Sequence, residues 1–202
     1  MKNVFQGLVL LDRDGVINEL VVDSEHGTVD SPLAAAQVRM IPRAAEAIVR
    51  LNQAGFGVAI VTNQPAAAKG KTTRAHLEAV HQAVLAHIHK AGGMILSSHI
   101  CFHRAEDNCH CRKPKTALLD EAFQKNSGYA REASWMIGDG LADIQAGQSF
   151  GLKTILIAAH KTDTCQKVFA NDLRPTHWAD NLWDAADHIL HVFSAQNRPS
   201  DH

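Results

Sequence analysis

Long hydrophobic runs are missing from this chain of 202 residues, and so is an excess of charge of either sign. No apolar stretch approaches the roughly 20 residues that cross a bilayer as a helix, so no membrane partner is expected. Lys and Arg number 20 against 21 Asp and Glu, a formal net charge of −1. That balance leaves no basic field to attract nucleic acid or an anionic surface. Internal repeats and low-complexity segments are absent, and no signal-peptide pattern follows Met1 to Gly7, so a cytoplasmic protein is expected. Cysteine is scarce at four residues, yet Cys101, Cys109 and Cys111 fall within eleven positions. In a cytoplasmic chain such a cluster favours metal over disulfide.

What is present is the composition of an ordinary globular protein, 46% hydrophobic and 20% charged, at a length that suits one domain with a sizeable core. Several short apolar runs end in residues able to handle a phosphate. Leu8 to Leu11 leads into Asp12-Arg13-Asp14-Gly15, and Val58 to Val61 into Thr62-Asn63-Gln64. Trp135 to Gly138 leads into Asp139, with Asp143 four residues on, and Arg112-Lys113-Pro114 stands between the last two runs. Continuous runs of this length suit strands buried on both faces of a parallel sheet. Ligands of open α/β sheets bind beyond the carboxyl ends of the strands. The pattern therefore predicts one crevice that gathers carboxylates, a hydroxyl and a lysine, an inventory suited to magnesium and a phosphoryl group.

Helical patterns alternate with the runs, so a doubly wound parallel sheet is expected over residues 1–195, with a disordered tail at 196–202. Pro42 is expected to open a helix that Gly55 closes, with Ala44, Ala45, Ile48 and Leu51 inward and a Glu46–Arg50 pair outside. A helix over 73–91 buries Leu77, Val80, Val84 and Ile88. His76, His81, His87 and His89 lack ligand spacing on one face of it and read as exposed. Strands are expected near 94–100, 134–137, 154–158 and 176–179, and helices near 115–126, 142–150 and 182–194. The segment 18–37, long and loop-like, reads as a flap beside the crevice with a short hairpin.

Asp12 and Asp14 sit two apart at a strand end, where their repulsion is costly without a cation. Alone, D-x-D-G is a weak signal that also resembles the start of a calcium loop. Cys101-x-His103 followed by Cys109-x-Cys111 offers three thiolates and an imidazole, enough for a closed tetrahedral zinc site. With no open position, that zinc is expected to be structural and to staple the loop presenting Arg112 and Lys113. Cys165 stands alone and reads as inert.

As an ordered set, Leu11-Asp12-Arg13-Asp14-Gly15-Val16-Ile17-Asn18, Thr62-Asn63-Gln64, Cys111-Arg112-Lys113-Pro114 and Gly138-Asp139-Gly140-x-x-Asp143 resemble the four motifs of haloacid dehalogenase-type (HAD) phosphatases. The resemblance implies a three-layer Rossmann-like fold, magnesium and an aspartyl-phosphate intermediate. It makes Asp12 the nucleophile and a magnesium ligand, and Asp14 the general acid and then base, with its carbonyl on the metal. Asp139 becomes the remaining ligand and Asp143 its support. Thr62, Asn63 and Lys113 become the phosphoryl clamp.

The cysteine loop joined to C-R-K-P is similar to the branch that holds heptose bisphosphate phosphatases and the histidinol-phosphate phosphatase domain, both with minimal caps. Thr62-Asn63-Gln64-Pro65-Ala66-Ala67-Ala68-Lys69-Gly70, with Asn18 and the His26-Gly27 pair, looks more like the heptose side. The Pro-Lys-Thr that follows Lys113 resembles the histidinol side. The implied reaction is removal of the 7-phosphate of a heptose 1,7-bisphosphate, feeding nucleotide-activated heptose for surface polysaccharide. Arg112 and Lys69 are the expected holders of the second phosphate, and Asn18 and Gln64 further substrate contacts. A histidinol-phosphate phosphatase is the first alternative, and an inactive phosphosugar-binding protein the second. The partner is thus a phosphorylated small molecule, and the protein is expected to act as a monomer.

Overall fold

The computed structural model describes residues 6–23, 28–158 and 162–196. Its central sheet has six strands: β1 (Leu8–Leu11), β4 (Gly57–Asn63), β5 (Ser97–Cys101), β6 (Trp135–Gly138), β7 (Lys153–Ile157) and β8 (His177–Ala179). They run in the order β5-β4-β1-β6-β7-β8 and every pairing is parallel. The chain builds outward from β1 to β5, then returns to build β6 to β8 on the other side. The reversal falls at β1, and that is where open α/β sheets leave a crevice.

Side chains of a strand alternate between faces, and the core divides accordingly. Val9, Leu11, Val58, Ile60 and Ile137 pack against α1 (Ala44–Gln53), α2 (Arg74–Lys90) and α6 (Leu182–Gln196). Leu8, Leu10, Ala59, Val61 and Met136 pack on the opposite face against α3 (Ala117–Lys125) and α4 (Leu141–Ser149). All four residues of β1 are buried, as a strand covered on both faces requires. The expected three-layer arrangement is thus the observed one. No helix among the described residues is long and apolar enough to cross a membrane.

The flap contains the expected hairpin, β2 (Val21–Asp23) against β3 (Thr28–Asp30). The His26-Gly27 pair and residues 197–202 of the expected tail lie outside the described residues.

Several local expectations are corrected. Pro42 does not occupy the first helical position of α1. Arg43 intervenes with φ of 63°, its guanidinium stacked 3.3 Å over the Trp183 ring. Arg50 does not pair with Glu46; it reaches Asp187 of α6 at 2.8 Å and also lies over Trp183. A long-range partner outcompetes the weak pairing along the helix surface. β4 extends two residues further than expected, so Thr62 and Asn63 belong to the strand end. A helix not expected from the sequence, α5 (Thr162–Ala170), packs through Val168 on Ile144 and Leu156.

His81 is buried rather than exposed, with 5% of its surface accessible. Neither ring nitrogen has a hydrogen-bond partner among the described residues. Burial first, and then the nearby Arg13 cation, pushes its pKa down to about 4. The unfolded chain therefore takes up this proton before the folded one does. The neutral ring costs nothing above the unfolded pKa, and stability is lost as pH falls from there through the folded value. From about pH 7.5 to about pH 5 the loss at this site is expected to be on the order of 2 kcal/mol. Thermal melts of the wild type and His81→Asn across that range check it: the variant should show a shallower dependence on pH.

Candidate active site

Four strand ends meet at the crevice. Asp12 follows β1, Thr62 and Asn63 end β4, the cysteine loop follows β5, and Asp139 follows β6. Close backbone approach makes the gathering feasible. Gly15 has φ of 82°, and a Cβ there would fall 2.0 Å from Asp139 Oδ2. A Cβ on Gly138 would fall 2.1 Å from Asp143 Cβ. Glycine at both positions lets the acidic residues close in.

Lys113 is buried at the centre. Its ammonium lies 2.6 Å from Asp143 Oδ1 and 3.2 Å from Asp12 Oδ1, and donates to the Val61 carbonyl at 2.7 Å. Burial alone would lower its pKa; the Asp12 and Asp143 carboxylates outweigh that and hold it above the usual lysine value. Burial pushes the Asp143 carboxyl up, with Lys113 opposing and Asp12 and Asp139 adding to the rise. The other Asp143 oxygen, Oδ2, accepts from the Gly140 amide at 3.0 Å, which fixes the start of α4.

Asp12 Oδ1 also accepts from the Arg13 amide at 2.7 Å. Carboxylate oxygens of Asp12, Asp139 and Asp143 all lie within 4.8 Å of one another. Three acidic side chains this close suit a hard divalent cation bound through oxygen.

Asn63 and Lys113 grip each other reciprocally. The Asn63 amide donates to the Lys113 carbonyl, and its oxygen accepts from the Lys113 amide, both at 3.1 Å. Asn63 therefore braces the lysine loop.

Asp14 lies apart from the cation cluster. It accepts Arg13 Nε at 3.1 Å and Asn18 Nδ2 at 2.8 Å on one oxygen. The other oxygen accepts Arg13 Nη2 at 3.0 Å and Gln64 Nε2 at 2.6 Å. Burial would raise its pKa, but the Arg13 cation and these hydrogen bonds hold the carboxyl below the usual range. The structure thus turns the amides of Asn18 and Gln64 onto Asp14 and buries both side chains, where the sequence suggested substrate contacts. The fully buried Arg13 was not among the expected site residues. Its signal was present: an arginine set between two aspartates at the end of a buried strand.

The four zinc-type ligands converge as expected. Sγ atoms of Cys101, Cys109 and Cys111 lie 3.3 to 3.7 Å apart, and His103 Nδ1 lies 3.6 and 3.3 Å from Cys101 and Cys111. A tetrahedral ion with bonds of about 2.3 Å to sulfur needs edges of about 3.8 Å, so a small expansion seats it. Burial acts upward on the Cys109 thiol, but the Arg112 amide and the neighbouring thiols bring it down to about 7. Arg112 is half-buried on this loop and donates to the His103 carbonyl at 3.2 Å. Lys69 is exposed on the loop after β4. Next to it, Lys71 pairs with Asp30 of the flap, and Thr72 Oγ1 donates to the Leu33 carbonyl at 3.1 Å.

Residues 110–185 match the family model described as HAD-hydrolase-like. The chain is 35% identical over 156 residues to D-glycero-beta-D-manno-heptose-1,7-bisphosphate 7-phosphatase of Pseudomonas aeruginosa, covering 77% of this chain and 83% of that one. It is 29% identical over 168 residues to the histidine biosynthesis bifunctional protein HisB of Legionella pneumophila, covering 83% of this chain but 46% of that one. The crystal structure of D,D-heptose 1,7-bisphosphate phosphatase from B. bronchiseptica, complexed with magnesium and phosphate, matches with a TM-score of 0.78. Identity there is 28%, covering 92% of this chain and 99% of that one.

The ligand geometry of the cysteine loop generates a direct test. Cys109→Ser is expected to lower both the zinc content, measured by elemental analysis, and the melting temperature. Unchanged zinc and unchanged melting would remove the structural role of the cluster.

Proposed function

This chain belongs to the haloacid dehalogenase-type phosphatases, in the branch shared by heptose bisphosphate and histidinol-phosphate phosphatases, and we propose that it hydrolyses the 7-phosphate of D-glycero-D-manno-heptose 1,7-bisphosphate. The observation that carries the reading is the buried Lys113 held between Asp12 and Asp143, beside a separately seated Asp14. It supplies a nucleophile, a charge clamp and an acid–base group as distinct parts of one crevice.

Asp12 is the nucleophile. One of its carboxylate oxygens bonds to phosphorus while the bond from phosphorus to the sugar oxygen breaks. Asp14, ionised at rest, takes up a proton as the phosphate dianion binds and gives it to that leaving oxygen. A water then attacks phosphorus and passes its proton to Asp14, the bond from phosphorus to Asp12 breaks, and phosphate departs. Asp14 returns to its protonated form and Asp12 to its carboxylate.

The Thr62 hydroxyl and the Lys113 ammonium contact the phosphoryl oxygens, and stabilisation of their charge is the main source of rate. Asn63 acts mainly through Lys113, whose backbone it holds on both sides. The clustered carboxylates of Asp12 and Asp139 fit magnesium and would hold it, with the Asp14 carbonyl as a further donor. Asp143 supports this set from the lysine side. Magnesium, when bound, neutralises charge on the phosphoryl group and favours in-line displacement.

The second phosphate falls to Arg112 and Lys69. A planar guanidinium suits a phosphate dianion, and Arg112 shares a loop with Lys113. Lys69, exposed on the loop after β4, adds a second positive charge. These two cations favour the sugar bisphosphate over histidinol phosphate, whose ammonium they would repel. The protein acts as a cytoplasmic monomer on a diffusible phosphosugar, and the formal net charge of −1 leaves no basic field for nucleic acid.

Phosphate release with magnesium, comparing both anomers of the heptose bisphosphate with histidinol phosphate, tests the substrate. A large kcat/KM preference for one sugar anomer is expected, and preference for histidinol phosphate would reassign the protein. Asp12→Asn is expected to abolish turnover while leaving the melting temperature near that of the wild type. Substantial residual turnover in a clean preparation would refute the nucleophile assignment.

A further inference from the structure

Buried polar atoms without partners are uncommon in folded proteins, and each calls for a reason. Five of the six such atoms among the described residues lie around one carboxylate, the sixth being Arg50 Nη1 on α1. Arg13 Nη1, Asn18 Oδ1, Gln64 Oε1 and both His81 nitrogens are buried without partners among the described residues. Arg13, Asn18 and Gln64 are the three residues that grip Asp14, and His81 is close enough to feel the charges of Arg13 and Asp14. The geometry is arranged around Asp14 at the expense of its neighbours.

Arg13 and Asn18 belong to the same loop as Asp14, so their bonds fix the side chain only relative to its own backbone. Gln64 is different. It comes from the end of β4, 50 positions away in sequence. Its main chain is itself pinned, the amide donating to the Cys101 carbonyl at 2.6 Å. Its Nε2 donates both to Asp14 Oδ2 at 2.6 Å and to Thr62 Oγ1 at 3.0 Å. With Asp14 ionised, the reverse orientation of the amide would press its carbonyl oxygen against the carboxylate at the same distance. One buried NH2 group therefore joins the acid–base residue to the hydroxyl of the phosphoryl clamp.

We propose that Gln64 is a positioning residue for the reaction: its amide sets the Asp14 carboxyl at a fixed place relative to the Thr62 hydroxyl, so that proton transfer meets the leaving oxygen of a phosphoryl group held by Thr62. The proposal rests on the roles assigned to Asp14 and Thr62 in the phosphatase reading. Gln64 touches neither substrate nor metal. A misplacement of about 1 Å is enough to cost on the order of 100-fold in rate, so a remote tie of this kind has leverage.

The nature of the leaving group separates positioning from general structural support. A sugar alkoxide needs the proton from Asp14, whereas p-nitrophenolate departs without one. With Gln64→Met, which keeps volume and removes the amide, kcat on the heptose bisphosphate is expected to fall about 30-fold while KM stays within about threefold. The single-turnover release of p-nitrophenol from p-nitrophenyl phosphate is expected to stay within about twofold. Equal losses on the two substrates would overturn the proposal, as would a rise in KM at unchanged kcat, which would make Gln64 a substrate contact. Gln64→Glu, of the same shape, is read by the same criterion should the methionine variant melt early. A wild type that prefers histidinol phosphate would refute the substrate assignment separately; that alkyl ester then replaces the sugar in the same comparison, and an equal loss on it and on the aryl ester would still defeat the role of Gln64.

Discussion

A lysine ammonium taken out of water is costly unless carboxylates meet it, and the crevice is organised around meeting Lys113. Its partners come from different parts of the chain: Asp12 after β1, Val61 within β4 and Asp143 in α4. The contacts, 2.6 to 3.2 Å long, tie the loop after β5 to the ends of β1 and β4 and to the first turn of α4. Remove the lysine, and Asp12 and Asp143 lose the cation held between them, with the Asp139 carboxylate still within 4.8 Å of both. Remove the carboxylates, and a buried cation has only a carbonyl for company. The alternation of buried strands makes the placement feasible, because β4, β1 and β6 are adjacent and their ends converge.

The second charged pair, Arg13 with Asp14, obeys the same constraint by a different route. It is local, bidentate and fully buried, so it needs no help from distant strands to exist. The two pairs keep their carboxylates in different states of engagement. Asp12 shares one oxygen between the Lys113 ammonium and a backbone amide, whereas Asp14 is saturated by four donors. Neighbouring carboxylates so differently surrounded can serve different chemistry, as acid–base pairs in enzymes commonly do.

Much of this was legible in the sequence because buried parallel strands announce themselves as uninterrupted apolar runs. The residues directly after such runs have few places to go, so Asp12, Thr62 and Asp139 could be placed without coordinates. The ligands Cys101, His103, Cys109 and Cys111 were legible for a similar reason: tight spacing leaves little conformational choice. What the sequence hid were choices among competing partners. Asn18 and Gln64 carry the same amide whether they face a substrate or Asp14, and only the fold decides between them. Arg50 had an adjacent acid in Glu46 and took a distant one, Asp187. His81 lies on a helix dense in histidines and looks like the others until Arg13 and Asp14 are seen beneath it. The α5 segment carries few apolar residues, and its docking rests on Val168.

The flap hangs on a different kind of bond from the crevice floor. Lys71 and Asp30 meet where solvent reaches both, with side chains 49% and 36% accessible. Such a pair contributes about 0.2 to 1 kcal/mol and weakens as salt shortens the Debye length. The buried Lys113 contacts are shielded from the same influence. Ionic strength therefore loosens one tie of the flap, that of Lys71 to Asp30, and leaves the buried grip on Lys113 nearly untouched.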